Sequence, residues 1–165
     1  MLPHEPQLPR LSLVAAWQAR LSLGFERRAN GSILARREHF GPLRVQKSLH
    51  PEGPEVCHAI LLHPPAGVAG GDELDIRVDV GMHAHALLTT PGAAKWYRSA
   101  GPWATQDMHF TVAPDAILEW LPQESIVFDA SNARSSIDIE LADDATMIRC
   151  DIVALGRRAG AQRFG

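Results

Sequence analysis

The sequence predicts an all-β protein of about ten strands with little helix, arranged as stacked layers of strand. Three observations carry that expectation. First, apolar residues recur with period two: Leu74, Ile76, Val78 and Val80 alternate with Asp75, Arg77 and Asp79. Successive side chains on a strand point to opposite faces, so such a run buries one side and solvates the other. Second, Gly, Pro, Asn or Asp lies between most of these runs, as turns require. Third, no long segment carries apolar residues at helical spacing.

Taken in order, residues 1–10 hold three prolines and few anchors and read as a loose arm. Residues 11–165 form the β domain. Trp17, Ala19, Leu21, Leu23 and Phe25 alternate with Gln18, Arg20 and Ser22, a first strand. Asn30-Gly31 follows, a pair that tolerates positive φ at both turn positions, and predicts a tight hairpin into Ser32-Ile33-Leu34-Ala35. Val56–Leu62 is continuously apolar apart from His58, as for a strand covered on both faces. After residues 74–80, Met108, Phe110 and Val112 alternate with His109 and Thr111, and Ile137, Ile139 and Leu141 alternate with Asp138 and Glu140. Residues 151–155 read as a strand and Gly156-Arg157-Arg158 as a turn. Gln162-Arg163-Phe164-Gly165 begins a further element, so the domain is expected to be truncated at its C-terminus.

The composition sets the class. A chain of 165 residues with 45% hydrophobic and 21% charged residues is an ordinary globular domain. A net charge of -3 gives no general attraction to nucleic acid or anionic lipid, and neither partner is expected. No run is long and apolar enough to suggest a membrane span. The apolar run after Arg10 is a poor signal peptide, being short and without a clean small-residue cleavage site. Cys57 and Cys150 make neither a disulfide framework nor a zinc set. They point to a reducing compartment, and a cytoplasmic location is expected.

The stretch LTTPGAAKWYRS, residues 88–99, puts Lys95, Trp96, Tyr97 and Arg98 together after a Pro-Gly turn. It is not a phosphate loop, because the second glycine is missing and Trp96 stands where a hydroxyl residue is needed. Gly67, Gly70 and Gly71 are followed by Asp72, a carboxylate that would repel phosphate. Ser99, Asp107 and His109 have neither the order nor the spacing of a known triad. His83 and His85 are two apart, which on a strand puts both on one face, and imidazole suits nickel, copper or zinc. The alternative function is therefore a metal-dependent hydrolase using His83, His85 and a carboxylate. His58 and His63 have opposite strand parity and are not expected to act together. Glu119, Trp120, Gln123 and Glu124, in Leu118-Glu119-Trp120-Leu121-Pro122-Gln123-Glu124, form a second cluster. It reads equally as an aromatic plug at a strand end or as a docking edge, since Trp, Tyr and Arg are enriched at interface hot spots.

Four segments in register then become specific. They are Gly41-Pro42-Leu43-Arg44-Val45-Gln46-Lys47, His63-Pro64-Pro65-Ala66-Gly67-Val68-Ala69-Gly70-Gly71-Asp72, residues 89–99, and residues 118–124. Together they resemble the urease accessory protein UreD family, also called UreH, and Leu155-Gly156-Arg157 continues the likeness. The resemblance covers about residues 14–165. It implies a stacked, helix-like arrangement of β-strands. It implies a non-enzymatic scaffold that binds urease apoprotein and works with UreF and UreG, UreG being the GTPase, to insert nickel into the urease active site. No tightly bound cofactor is implied, and nickel is handled transiently. Family members usually have Gly at the position of Ala66, a hydroxyl residue at Ala94 and Gly-Glu at Ala161-Gln162, and they run well past residue 165. On this resemblance Lys95, Trp96, Tyr97, Arg98, Glu119, Trp120, Gln123 and Glu124 brace the fold or meet a partner. Asp72 and Asp151 become candidates for weak, exchangeable nickel contacts, because carboxylates and water suit transit better than tight imidazole or thiolate sites.

Overall fold

The computed structural model describes residues 16–65 and 67–156. The expected arm at residues 1–10 and the elements expected after Gly156 lie outside these residues.

Thirteen strands form, with no helix among the described residues. In chain order they are β1 (Gln18–Arg28), β2 (Gly31–Phe40), β3 (Arg44–Val45), β4 (Val56–Leu62), β5 (Glu73–Val80), β6 (His85–Thr89), β7 (Ala94–Trp96), β8 (Ala104–Val112), β9 (Ile117–Trp120), β10 (Ser125–Val127), β11 (Ala133–Leu141), β12 (Thr146–Arg149) and β13 (Val153–Leu155). They build three sheets, ordered β11-β8-β5-β1-β2, β12-β9-β6-β4-β3 and β13-β10-β7. From β5 onward the chain visits the three sheets in rotation, so that β5, β6 and β7 make one turn, β8, β9 and β10 the next, and β11, β12 and β13 the last. Each strand lies parallel to its counterpart in the previous turn, roughly thirty residues earlier, which is a β-solenoid-like stack. The expectation of an all-β stack of strands is met.

The first end is closed differently. The expected hairpin forms and pairs β1 with β2 antiparallel, but its two-residue loop is Ala29-Asn30, with Gly31 opening β2 and only Gly31 of the expected pair at positive φ; β3 pairs antiparallel with β4. Gly31 has φ +126°, and a Cβ there would lie 2.0 Å from the Pro54 carbonyl oxygen. Only glycine fits that turn.

Register puts like on like. Leu21, Ile76, Met108 and Ile137 form one inward row, and Leu23, Val78 and Phe110 belong to the next. These meet Ala86, Leu88, Leu118 and Trp120 from the facing sheet in one core. Phe110 and Trp120 pack with ring centroids 5.5 Å apart. The outward partners of the same strands include Asp75, Arg77, Asp79 and His109, so the period-two pattern separates core from solvent. The last turn has no strand stacked on it among the described residues, and Ile139, Leu141, Ile148, Val153 and Leu155 are exposed there.

Three expectations are corrected. The strands among the described residues number thirteen rather than about ten, because two- and three-residue strands such as β3, β7, β10 and β13 are too short to show alternation. Trp17 lies outside β1 and is half exposed. The strand expected at 151–155 is β13, Val153–Leu155, so Asp151 sits in the connection before it, exposed, and pairs with Arg149 at 2.8 Å.

Candidate functional site

The glycine-rich turn between β4 and β5 is organised by Asp72, which is buried at 3% exposure. One carboxylate oxygen accepts the Trp17 backbone N–H at 2.8 Å and the other accepts the Ala69 N–H at 2.8 Å. The Asp72 carbonyl accepts the Thr105 N–H at 2.8 Å. A buried carboxylate is tolerated when amides saturate it, and here they tie the entry to β1, the turn and the entry to β8. The glycine at position 67 serves close approach: a Cβ there would come within 2.1 Å of the Tyr97 ring.

Tyr97 belongs to the stretch with the two cations and two aromatics. The Lys95 carbonyl accepts the Val68 N–H at 2.7 Å, and the Tyr97 N–H donates to the Val68 carbonyl at 2.9 Å. The stretch is thus laced onto the glycine-rich turn. Alternation then divides its side chains. Trp96 is buried at 3%, while Tyr97 is 38% exposed and meets Phe128 edge-on at 5.4 Å. Arg98 pairs with Asp129 at 3.2 Å.

The second cluster stacks directly on the first. Ser125, Ile126 and Val127 lie beside Ala94, Lys95 and Trp96, and Leu88 lies beside Trp120. The Gln123 N–H donates to Thr90 Oγ1 at 3.0 Å, and the Glu124 carbonyl accepts the Ala94 N–H at 2.9 Å. Trp120 is buried at 5%. Glu119 points outward and pairs with His85 Nε2 at 2.7 Å, both side chains half-buried. Two clusters read separately in the sequence are therefore successive turns of one corner.

His83 and His85 do not share a strand face. His83 lies in the turn before β6 with φ 59°, where strand parity does not apply, and its Nδ1 is 3.6 Å from Asp115. His85 opens β6 and faces Glu119 instead. Ser99, Asp107 and His109 do not converge either. Ser99 Oγ donates to the Pro102 carbonyl, Asp107 accepts from Ser136, and His109 faces Asp138 at 3.3 Å. Among the described residues no three His, Cys, Asp or Glu side chains are grouped to hold a metal ion.

The solenoid interior is not fully packed. A cavity of about 120 Å³ is lined by residues of every turn of the stack, from His63 and Val68 through Ala94 and Gln106 to the exposed Ser135 and Asp151. Its wall changes character along one inward row. Leu74, Gln106 and Ser135, which all border the cavity, are register neighbours on β5, β8 and β11, and the row passes from buried and apolar to exposed and polar. Thr90 and Gln123 add polar groups. His63 Nε2 is buried and has no hydrogen-bond partner. Burial holds the His63 imidazole below the ordinary histidine range, and the charge of Asp72 opposes that shift. Asp72 and Asp151 are not neighbours in one site: Asp72 borders a separate groove beside Trp17 and Tyr97, and Asp151 borders the axial cavity. Sequence reasoning passed over Gln106, Ser135 and His63 as cavity residues. Parity was the available signal for Gln106, which shares its face with Ala104, Met108 and Phe110.

These features define a stacked-strand scaffold. Its aromatic and charged clusters bind consecutive turns to one another, and its interior keeps a partly polar axial cavity. Residues 18–165 match the family model described as UreD urease accessory protein. The chain belongs to the UreD urease accessory protein family. It is 54% identical over 149 residues to urease accessory protein UreD of Dechloromonas aromatica, covering 90% of this chain and 52% of that protein. It is 50% identical over 162 residues to UreD of Ralstonia nicotianae, covering 98% and 55%. It is 55% identical over 149 residues to UreD 2 of Pseudomonas syringae pv. tomato, covering 90% and 53%. The chain spans about half the length of the relatives it matches.

Proposed function

We propose that this chain serves urease maturation as a non-enzymatic scaffold, assembling with urease apoprotein and with UreF and UreG, and that nickel passes along its axial cavity on the way to the urease active site. Family membership supports the accessory role. The axial cavity is the observation that carries the transit role. Residues of every turn line it, and Gln106, Ser135 and Asp151 among them carry oxygen donors, the Asp151 carboxylate being paired with Arg149. Such oxygen donors hold a divalent transition metal loosely and release it, as a cargo ion requires. On this reading Asp151 acts at the cavity, and Asp72 acts through the turn it holds. Tyr97, Arg98 and the outward Glu119 supply the aromatic and charged surface that meets a partner. No helix among the described residues is long and apolar enough to cross a membrane, and a cytoplasmic site of action fits the proposal.

The test is co-expression of the chain with urease apoprotein, UreF and UreG, followed by affinity capture and measurement of urease nickel. Co-purification with urease and nickel loading that depends on the chain are expected. Absence of both overturns the reading.

A further inference from the structure

We propose that the groove beside Trp17 and Tyr97 is a binding site for a polyproline II helix, and that its occupant is this chain's own N-terminal arm. The arm carries Pro3, Pro6 and Pro9, one proline every three residues. A polyproline II helix has three residues per turn, so this spacing puts the three rings on one face over about 19 Å. Proline lacks the N–H that a strand ladder needs, so the arm is not suited to extend the stack as a strand. The groove, about 210 Å³, is of the kind that accepts such a face. Trp17 and Tyr97 line it, with Pro65, Gly67 and Gly70 beside them. Aromatic-lined grooves take proline rings against their ring faces, and a polyproline II segment arrives with little entropy to lose.

Both aromatic walls are held in place before anything binds. The Trp17 N–H donates to Asp72, and the Trp17 carbonyl accepts the Glu73 N–H at 2.8 Å. The Tyr97 ring lies against Gly67, where a Cβ would come within 2.1 Å of it, and meets Phe128 edge-on. Trp17 is nevertheless half exposed, and Tyr97 is partly so. Among the described residues neither the Trp17 indole N–H nor the Tyr97 hydroxyl makes a hydrogen bond, so both can donate to a ligand. A polyproline II helix has no internal hydrogen bonds, and its carbonyls accept such donors. The occupant follows from where the chain enters the described residues. Ala16, the first of them, itself lines the groove, so residues 1–15 lead up to its edge. Residues 10–15 reach at most about 20 Å when extended, enough to turn the prolines back across the groove. A tether this short gives the arm an effective concentration on the order of millimolar, which no separate chain shares. This inference goes beyond the scaffold reading and does not rest on it. Where Tyr97 also meets a partner, arm and partner compete for the ring.

The experiment places a nitroxide on the arm of the full chain, at Glu5→Cys in a Cys150→Ser background, and reads backbone amides by NMR. Glu5 lies off the proline face, and Cys57 is buried. The amides of Gly67 and Gly70 should lose most of their intensity, while that of Gly31, beyond the far end of β1, keeps it. The loss should disappear in Pro3→Ala/Pro6→Ala/Pro9→Ala, which touches no core residue, and in Tyr97→Ala. Gly67 and Gly70 no more affected than Gly31 would overturn the docking, and a loss that survives the proline replacements would overturn polyproline recognition. Nitroxide-bearing chain mixed with unlabelled nitrogen-15 chain reads contacts between copies. An equal loss in that mixture would assign the groove to a second copy's arm and overturn the assignment to this one. Decaproline is then titrated into the native chain and the proline variant. It should reach the groove at lower concentration in the variant; equal titrations would show a groove open to a partner's segment and overturn the arm as its occupant.

Discussion

Asp72 reaches across fifty-five residues of sequence to take the Trp17 amide at 2.8 Å, while its other oxygen takes the Ala69 amide. The carboxylate is thereby a structural clamp between the entry to the first strand and the glycine-rich turn. Removing it as Asp72→Ala strands two amide donors. Each buried donor left without a partner costs about 1–3 kcal/mol. Asp72→Asn keeps one acceptor oxygen and turns an amide donor toward the other N–H. Urea denaturation should rank stability as native, then Asp72→Asn, then Asp72→Ala. Equal midpoints for all three would show that the clamp contributes nothing.

Trp96 and Tyr97 are adjacent in sequence yet opposite in burial, so their truncations should separate folding from docking. Trp96→Ala empties a core position and should cost about 3–5 kcal/mol. Tyr97→Ala removes a partly exposed ring and should cost markedly less, while weakening capture of urease apoprotein or UreF. Thermal unfolding and capture yield, measured on both variants, decide this. Capture unchanged in a folded Tyr97→Ala variant would assign Tyr97 to the fold alone.

Much of the fold was legible because it is written in period two. Leu74 to Val80 alternates in the sequence and becomes β5, with the aspartates and Arg77 outside. The hairpin after β1 was legible because Asn-Gly marks a turn locally, although the loop falls one residue earlier, at Ala29-Asn30, and only Gly31 takes a positive φ. What was hidden is long-range. That β5, β8 and β11 stack in register depends on turns whose sequences share no obvious repeat, and β7, β10 and β13 are too short to betray themselves. The same limit governed the site. His83 was assigned strand parity that its left-handed turn conformation removes. The place of Gln106 between buried Leu74 and exposed Ser135 follows only from the register of β5, β8 and β11.

The two cysteines should differ in reactivity. Cys57 is fully buried in β4, and burial pushes its thiol above the ordinary range, whereas Cys150 is exposed. Only a thiolate attacks an alkylating agent, so at about pH 8 Cys57 has neither the charge nor the access. Iodoacetamide should modify Cys150 promptly and Cys57 only as the chain unfolds. Mass spectrometry of timed samples, with and without urea, reads this directly. Rapid modification of Cys57 in native buffer would show that β4 opens far more easily than its packing implies.

Gln106 tests the polar row against the bland alternative that it is a tolerated imperfection. Among the described residues its amide nitrogen donates to the Met108 sulfur at 3.3 Å, a weak acceptor, in a position flanked by Leu74 and Ser135. Gln106→Leu keeps nearly the same length and discards a poorly satisfied amide. Stability should therefore be unchanged or higher, by up to about 1 kcal/mol. The same substitution extends the apolar part of the row toward the open end of the cavity. If nickel moves there, it loses an oxygen donor and meets an apolar wall, which raises the cost of a cation in the cavity. Capture of urease apoprotein should be unaffected while urease nickel content falls, and Asp151→Ala should show the same split at the open end of the path. Urea midpoint, capture yield and nickel content are read on the same preparations. Normal nickel content in both variants would mean that the row is not a path, and nickel lost only in step with capture would make these residues structural.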